Sequence, residues 1–462
     1  LQFRRYVSRP IRRPSGAIIP GRRLDDDHVS PPRRGHRLSC ACVGRAVRET
    51  TRASRVSTIP IFRKLSMGTF PNVDGRAPIH LFASSKSWIE GNATLQLEQV
   101  AGLPGVRAVA AMPDLHPGKY GPVGCAILSE RIHPQLVGSD IGCGMGLFEL
   151  DIAARKLRLD HLAERMHALD QPWDGDVETA LADADLGATA FDTALGSIGG
   201  GNHFCELQAL DEILAPDAAA RAGLDRNLAY VLVHSGSRGL GFSILERALQ
   251  GGEASLSIGS DAANTYLAVH DHAVRWAKLN RRIIAERTGA AARASLRPVS
   301  DLAHNMVECG RDAAGHVLAL HRKGAAAADR GLVPVPGSRG TLSYLVEPLA
   351  DMQAEALASL AHGAGRKYDR ASMHGRVRVK KSDIARLERN PFGGIVVCGD
   401  RGLLAEEAPD AYKSIERVIA DLVEFGLVRV VATFRPLLTF KKSQSTAAAS
   451  GKRDKSWKED RR

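Results

Sequence analysis

Long apolar runs are missing from this chain of 462 residues. None approaches the roughly 18 residues that cross a bilayer, so no membrane-spanning helix and no membrane partner are expected. A hydrophobic secretory core is also absent. Cysteine is sparse. The seven, at 40, 42, 125, 143, 205, 309 and 398, are scattered and odd in number. That argues against a disulfide framework and points to a reducing compartment, the cytoplasm. No Walker A pattern occurs, so any nucleotide must be held by other loops.

Net positive charge is missing where a nucleic-acid surface would need it. Residues 1–66 hold fifteen Arg and one Lys against three Asp and one Glu, which accounts for the whole net charge of +12. Residues 67–440 hold 39 basic and 44 acidic side chains, and residues 441–462 hold eight and three. Bulk charge therefore gives no support for nucleic-acid binding by the central part, and a local basic groove is the remaining route.

Residues 1–66 are rich in Arg, Pro and Ser, lack apolar periodicity and read as a disordered basic extension. The first methionine is Met67. Upstream sequence from a wrongly chosen start, a native basic tail and a transit peptide are the competing origins; Asp25, Asp26 and Asp27 oppose the last. The Ser/Ala/Lys-rich stretch 442–462 reads as a flexible basic tail. The central residues, with 44% of the whole chain hydrophobic, suffice for one large core or two ordinary ones.

From Ile79 short apolar runs alternate with helical patterns. Strands are expected at Val106–Met112, Gly146–Ile152, Ala229–Val233, Gly394–Cys398 and Leu427–Thr433. Helices are expected at about 90–101, 155–169, 177–184, 260–287 and 410–423. Leu267, Val274, Ala277 and Ile284 share one face of the fourth, and Pro409 suits the first turn of the last. The fold class is α+β, with topology left open.

Chemistry concentrates in glycine-rich turns: S-D-I-G-C-G-M-G (139–146), G-G-G-N-H-F (199–204), H-S-G-S-R-G (234–239), H-N (304–305) and H-G-A-G-R (362–366). Glycine lets polar side chains converge and frees N–H groups for anions. Asp140, Cys143, His203, His234 and His304 make a mixed O/S/N ligand set. Such a set suits a first-row divalent ion better than calcium or magnesium. His362 remains for chemistry, because a neutral imidazole is a competent nucleophile toward phosphorus and Gly363 leaves room for a phosphate. Arg238 and Arg339, each in a G-S-R-G turn, are candidates to pair with phosphate oxygens. His116, beside Asp114, reads either as an orienter of the metal ligands or as a loop histidine capped by Asp114. His270, His272, His321 and His374 read as structural or solvated.

These blocks, with M-P-D-L-H-P-G (112–118), G-N-H-F-C-E (201–206), R-K-G-A (322–325), P-G-S-R-G-T-L-S-Y (336–344) and E-E-A-P-D-A-Y-K (406–413), resemble the RtcB family of RNA ligases and occur in its order. The resemblance runs from about Ile79 to Lys441 and implies one compact mixed domain, 67–441, with a central metal and nucleotide cleft. It implies two manganese ions, with Cys143 shared between them, and a covalent bond from His362 to GMP. It implies that Asn202, Phe204, Glu206, Ser338, Ser343, Tyr412 and Lys441 line the guanylate pocket together with Gly363. The implied activity is GTP-dependent joining of RNA 3′-phosphate or 2′,3′-cyclic phosphate ends to 5′-hydroxyl ends, in RNA repair or tRNA splicing. The family's usual Arg after D-x-x-C-G-x is Gly146 here, which bears on substrate positioning. The stretch from Met67 is shorter than typical members and is similar to the bacterial subgroup found beside the release-factor homologue PrfH, so a functional link to a PrfH-type factor is implied. A dinuclear metallophosphoesterase without GTP and a non-catalytic RNA-end-binding protein are the alternatives.

Overall fold

The computed structural model describes residues 75–377 and 385–443. The expectations for 1–66 and for the tail beyond Ser443 lie outside the described residues.

Two sheets carry the fold, confirming a mixed α/β architecture. The first has five strands in the order Ile79–Leu81, Val106–His116, Val123–Ser129, Val317–Lys323 and Asn305–Arg311. The second runs Val333–Pro336, Ser343–Pro348, Val428–Lys442, Phe204–Ile213, Leu228–Ser235, Gly144–Ala153 and Leu296–Ala303, with Ile395–Cys398 also pairing with the 428–442 strand. In the central strand Leu228–Ser235 the seven residues after Leu228 are all buried, so its sequence reads as a continuous apolar run rather than an alternation.

The antiparallel register of the second sheet positions the site. Gly144 faces both Ser235 and Ala303, and Phe204 faces His234. Two strands begin and two end on this one edge. The segments just beyond those ends, which hold Asp140, Cys143, His203 and His304, therefore meet beside His234. A short ladder of Ala325–Ala327 with Ser359–Ala361 leads His362 to the same place. The amide of Ala325 donates to the His304 carbonyl.

Each expected strand is present. The 427–433 expectation stopped too early, because the strand continues to Lys442 through Pro436. Pro436 has no N–H to give the ladder, and the register shifts between Pro436 and Leu438. The helix expected over 155–169 is only Leu159–Met166, flanked by 3-10 turns at Ala154–Lys156 and His167–Asp170. The last helix begins at Ile415, capped by the Ser414 side chain, and Pro409 starts a separate 3-10 turn. Between them Tyr412 is extended, and the Lys413 ammonium donates to the carbonyls of Pro113 and Leu115. Those long-range bonds outcompete a continuous helix. Ile415, Val418, Ile419 and Leu422 bury one face of this helix, each contributing about 1.5–3 kcal/mol.

The long helix, expected over 260–287, spans Asp261–Ala292. Ala277 and Ile284 are buried, but Leu267 and Val274 are only half-buried. The inward stripe instead runs Ala263, Tyr266, His270, Ala273, Ala277, Asn280 and Ile284. Leu267 and Val274 flank that stripe and pack against the core, and His270, Asn280, Arg281 and Thr288 of this helix are buried and hydrogen-bonded, which an apolar pattern does not register. Among the described residues no helix is long and apolar enough to cross a membrane.

Candidate metal and nucleotide site

Asp140 and Cys143 lie on a tight turn that Gly142 makes possible. Its φ is +74°, and an added Cβ would stand 2.8 Å from the Val274 backbone and 2.9 Å from Ala277. The turn is thus pressed against the long helix, leaving no room for a side chain. Gly236 serves a different need: a Cβ there would lie 2.3 Å from the Asp140 carboxylate.

Four of the donors form one contact chain. Cys143 Sγ is 3.2 Å from His234 Nε2 and 3.4 Å from His203 Nε2. His203 Nε2 is 2.8 Å from Asp140 Oδ2. The His304 ring centre is 5.2 Å from that of His234 and 4.7 Å from that of His362. Donor atoms of Cys143, His203 and His234 all lie within 4.8 Å of one another, close enough to hold a metal ion together.

Electrostatics shows what this cluster wants. Burial and the neighbouring Asp140 carboxylate push the Cys143 thiol well above its usual range. Burial and the adjacent imidazoles hold His234 and His304 well below theirs. Burial opposes ionisation of Asp140 too, yet His203, Cys143 and the Arg238 N–H keep its carboxyl below the usual value. Burial thus disfavours charge on the Cys143 sulfur and on the His234 and His304 rings. A bound divalent ion would draw the proton from sulfur and satisfy the rings, so the donor set fits a first-row metal.

Around the cluster runs a network that sequence reading missed. Arg281 is buried, pairs with Asp301 at 2.7 Å and donates to the carbonyls of Gly142 and Ser235. Each carbonyl adjoins a ligand, so Arg281 braces both ligand segments. An arginine inside a long helix gives no local signal of this task. Asp301 also lies beside Gly146, where a Cβ would meet the Phe148 ring at 2.8 Å and the Asp301 carboxyl at 3.7 Å. A longer side chain at 146 would have to displace that ring.

His362 stands next to His304 but bonds elsewhere. Its backbone N–H donates to Asp114 Oδ2 at 3.1 Å, and its Nδ1 is 2.6 Å from the same oxygen. A carboxylate only accepts, so Nδ1 bears a proton, which in the neutral ring leaves the lone pair on Nε2. Asp114 is fully buried. It does not cap His116 through its carboxylate; the His116 ring meets the Asp114 backbone carbonyl at 2.9 Å instead. His116 stacks near His362, 6.4 Å between ring centres, and burial lowers its pKa to about 4. It touches His362 rather than the metal ligands.

A cavity of about 420 Å³ opens beside these residues. Asn202, Phe204, Glu206, Ser338, Gly363, Tyr412 and Lys441 line it, with His362, Asp140, Cys143, His234 and His304. Ser343 is set back: its hydroxyl accepts from Gln208, which also donates to Glu206. At Gly363 a Cβ would press on the Pro336 carbonyl at 3.1 Å. Burial raises the Glu206 pKa to about 7, against the pull of Thr439, Gln208 and Lys441. Glu407 is the other missed residue. It joins Tyr412, Lys441 and Arg366 at one end of the cavity. Burial works against its charge, but Lys441, Tyr412 and Arg366 bring its pKa down to about 2. Two adjacent glutamates, 406 and 407, hid which one faces inward.

The two G-S-R-G arginines differ from expectation. Arg238 donates to the Ile198 carbonyl at 2.6 Å and lies 3.3 Å from His203 Nδ1. Arg339 donates to the carbonyls of Leu404 and Glu407. Both guanidinium groups hold backbone, because burial demands partners that a turn sequence does not name. Arg339 nevertheless lines the cavity, as do Arg366 and Arg370.

With that arrangement in view, comparison with known proteins is decisive. Residues 96–192 and 174–442 match the family described as tRNA-splicing ligase RtcB. The chain belongs to the RtcB family of RNA ligases. It is 46% identical to the RNA-splicing ligase RtcB2 of Escherichia coli over 373 residues, covering 79% of this chain and 96% of that protein. It is 30% identical to the tRNA-splicing ligase RtcB of Nanoarchaeum equitans, over 79% of this chain and 95% of that one. The RNA-splicing ligase RtcB of Mycobacterium tuberculosis is 29% identical over 74% of this chain and 99% of its own length. Family membership makes the chain an RNA ligase with RNA as substrate.

Proposed function

We propose that this enzyme uses GTP and manganese to join RNA 3′-phosphate or 2′,3′-cyclic phosphate ends to 5′-hydroxyl ends through a histidine–GMP intermediate. One observation carries the reading: His362 reaches the cavity with Nδ1 held by Asp114 and Nε2 unpartnered among the described residues, beside the candidate metal donors and the pocket lined by Glu206 and Lys441.

Asp140, Cys143, His203, His234 and His304 would hold two manganese ions. When bound, the metal supplies charge neutralisation on the phosphates. His362 Nε2 attacks the α-phosphorus of GTP, forming a P–N bond as the bond to pyrophosphate breaks. Asp114 stabilises the imidazolium that results. Ionised Glu206 accepts from guanine N1–H and the 2-amino group. The RNA 3′-phosphate, after hydrolysis of any cyclic ester, takes GMP from His362. The 5′-hydroxyl then attacks that activated phosphate and GMP leaves. Holding the ends in line is most of the enzyme's task. The homologous subgroup beside PrfH makes repair of cleaved RNA, alongside a PrfH-type factor in the cytoplasm, the fitting role.

Incubation with α-labelled GTP and manganese tests the reading. A covalent adduct is expected, labile to acid and stable to alkali as a phosphoramidate. His362→Ala should abolish it while metal content stays intact. Label persisting in that variant would refute the assignment.

A further inference from the structure

Of the three described tryptophans, Trp276 is buried and Trp173 half-buried, whereas Trp88 leaves 53% of its surface in solvent. Lys367 stands between this ring and another. Its Nζ is 5.8 Å from the centre of Trp88 and 5.3 Å from that of Tyr368. By the sum of those distances the two ring centres are no more than about 11 Å apart. The Lys367 ammonium forms no hydrogen bond or ion pair with any described residue. The Arg376 guanidinium lies 3.8 Å from the Tyr368 ring centre.

This group borders the catalytic cavity. Arg366, Asp369 and Arg370, on either side of Lys367 and Tyr368, line it. The Asp369 carboxylate accepts from Ser372 N–H as the cap of the helix Arg370–Arg376. His362 is five residues from Lys367, which limits the backbone separation to about 18 Å, a span of a few nucleotides. A single lysine over an exposed tryptophan is ordinary surface chemistry. Two rings around one unpaired cation, on the rim of a cavity that takes RNA ends, are what a single strand requires. Rings stack bases of any identity, and the cation meets phosphate.

We propose that Trp88, Lys367 and Tyr368 form a platform for single-stranded RNA at the mouth of the cavity. One unpaired base next to the end being joined stacks on Trp88, a second meets the part of half-buried Tyr368 that Arg376 leaves open, and Lys367 contacts the phosphate between them. The platform selects ends that are unpaired for a few nucleotides and is tolerant of sequence. It rests on the ligase reading for what the cavity holds, and it concerns RNA binding alone.

The test measures equilibrium binding of a short oligoribonucleotide with a 3′-phosphate to the full chain without GTP, at several salt concentrations. Trp88→Ala should weaken binding about 5- to 100-fold with an unchanged salt slope, and Trp88→Phe should restore most of it. Lys367→Met should reduce the salt slope by about one phosphate's worth. Scanning abasic residues along the last few nucleotides needs no protein variant. One or two positions should weaken binding to wild-type protein yet cost little in Trp88→Ala. Equal affinity for every abasic oligonucleotide, or equal losses in wild type and Trp88→Ala, would overturn the platform. So would a Trp88→Ala protein with normal RNA affinity and a reduced sedimentation coefficient, which would assign the face to a second copy of the chain. Failure of the ligase reading looks different: wild-type protein would form no GMP adduct, whatever its RNA affinity.

Discussion

His362 and Asp114 are joined twice through one carboxylate oxygen, which takes both the backbone N–H and the ring Nδ1 of the histidine. The pair comes from strand ends 248 residues apart. The double bond fixes the ring's position as well as its tautomer. Asp114→Asn would replace one acceptor with an amide that can present N–H toward Nδ1 and favour the wrong tautomer. The rate of GMP adduct formation should fall roughly 10²–10⁴-fold. Metal content, measured by elemental analysis, should not change. An adduct formed at the wild-type rate would remove Asp114 from the mechanism.

Cys143→Ala should lose metal and ligation together. Sulfur is the softest donor and lies within 3.4 Å of two imidazoles, so its loss damages more than one position. Dialysis followed by elemental analysis reads the outcome. Two equivalents of manganese retained by this variant would exclude a bridging thiolate.

Arg281→Met should destabilise the fold by about 3–5 kcal/mol, because it strands the buried Asp301 carboxylate without its partner. It also releases the carbonyls of Gly142 and Ser235, so metal affinity should drop even where the variant stays folded. Chemical unfolding and a metal titration report these separately. Unchanged stability would mean that water replaces the guanidinium.

Glu206→Gln tests a buried charge through pH. Burial raises the folded-state pKa to about 7 from 4.5, so the protonated form is favoured on folding. This group therefore costs stability as pH rises from about 4.5 to 7, up to about 3 kcal/mol, and the cost is constant above. Relative to wild type, the glutamine variant should gain stability across that window and hold the gain at higher pH. Denaturant unfolding at pH 5, 6, 7 and 8 measures the difference. A difference that does not vary with pH would show Glu206 already ionised at little cost.

Much of the site was legible before any fold was known. Asp140, Cys143, His203, His234, His362 and most of the cavity-lining residues sit in short glycine-bearing blocks, and such blocks are informative because close approach of backbone and polar side chains tolerates few residue types. Glycines 142 and 236 show why: one occupies a positive-φ turn against a helix, and the other faces a carboxylate at a distance no Cβ allows. Five strand positions were legible from apolar runs, whereas a strand such as Val317–Lys323, which buries His321, Arg322 and Lys323, gave no such signal.

What tertiary structure decided was which partner each polar group takes. Asp114 was read with its neighbour His116, yet its carboxylate serves His362 across the molecule. Arg238 and Arg339 were read as candidates to pair with phosphate; both hold backbone carbonyls, and of the two only Arg339 lines the cavity. Arg281 and Glu407 had no reading at all, yet one braces the ligand turns and the other ties Tyr412 and Lys441 together. Backbone conformation is biased by residue type and near neighbours, so the approximate places of five strands, the tight turns and the candidate donors could be read from sequence alone. Hydrogen bonds and ion pairs act over about 3 Å in any direction, so only the folded register of the sheets, which aligns Gly144, Ser235 and Ala303 on one edge, could settle how the site is wired.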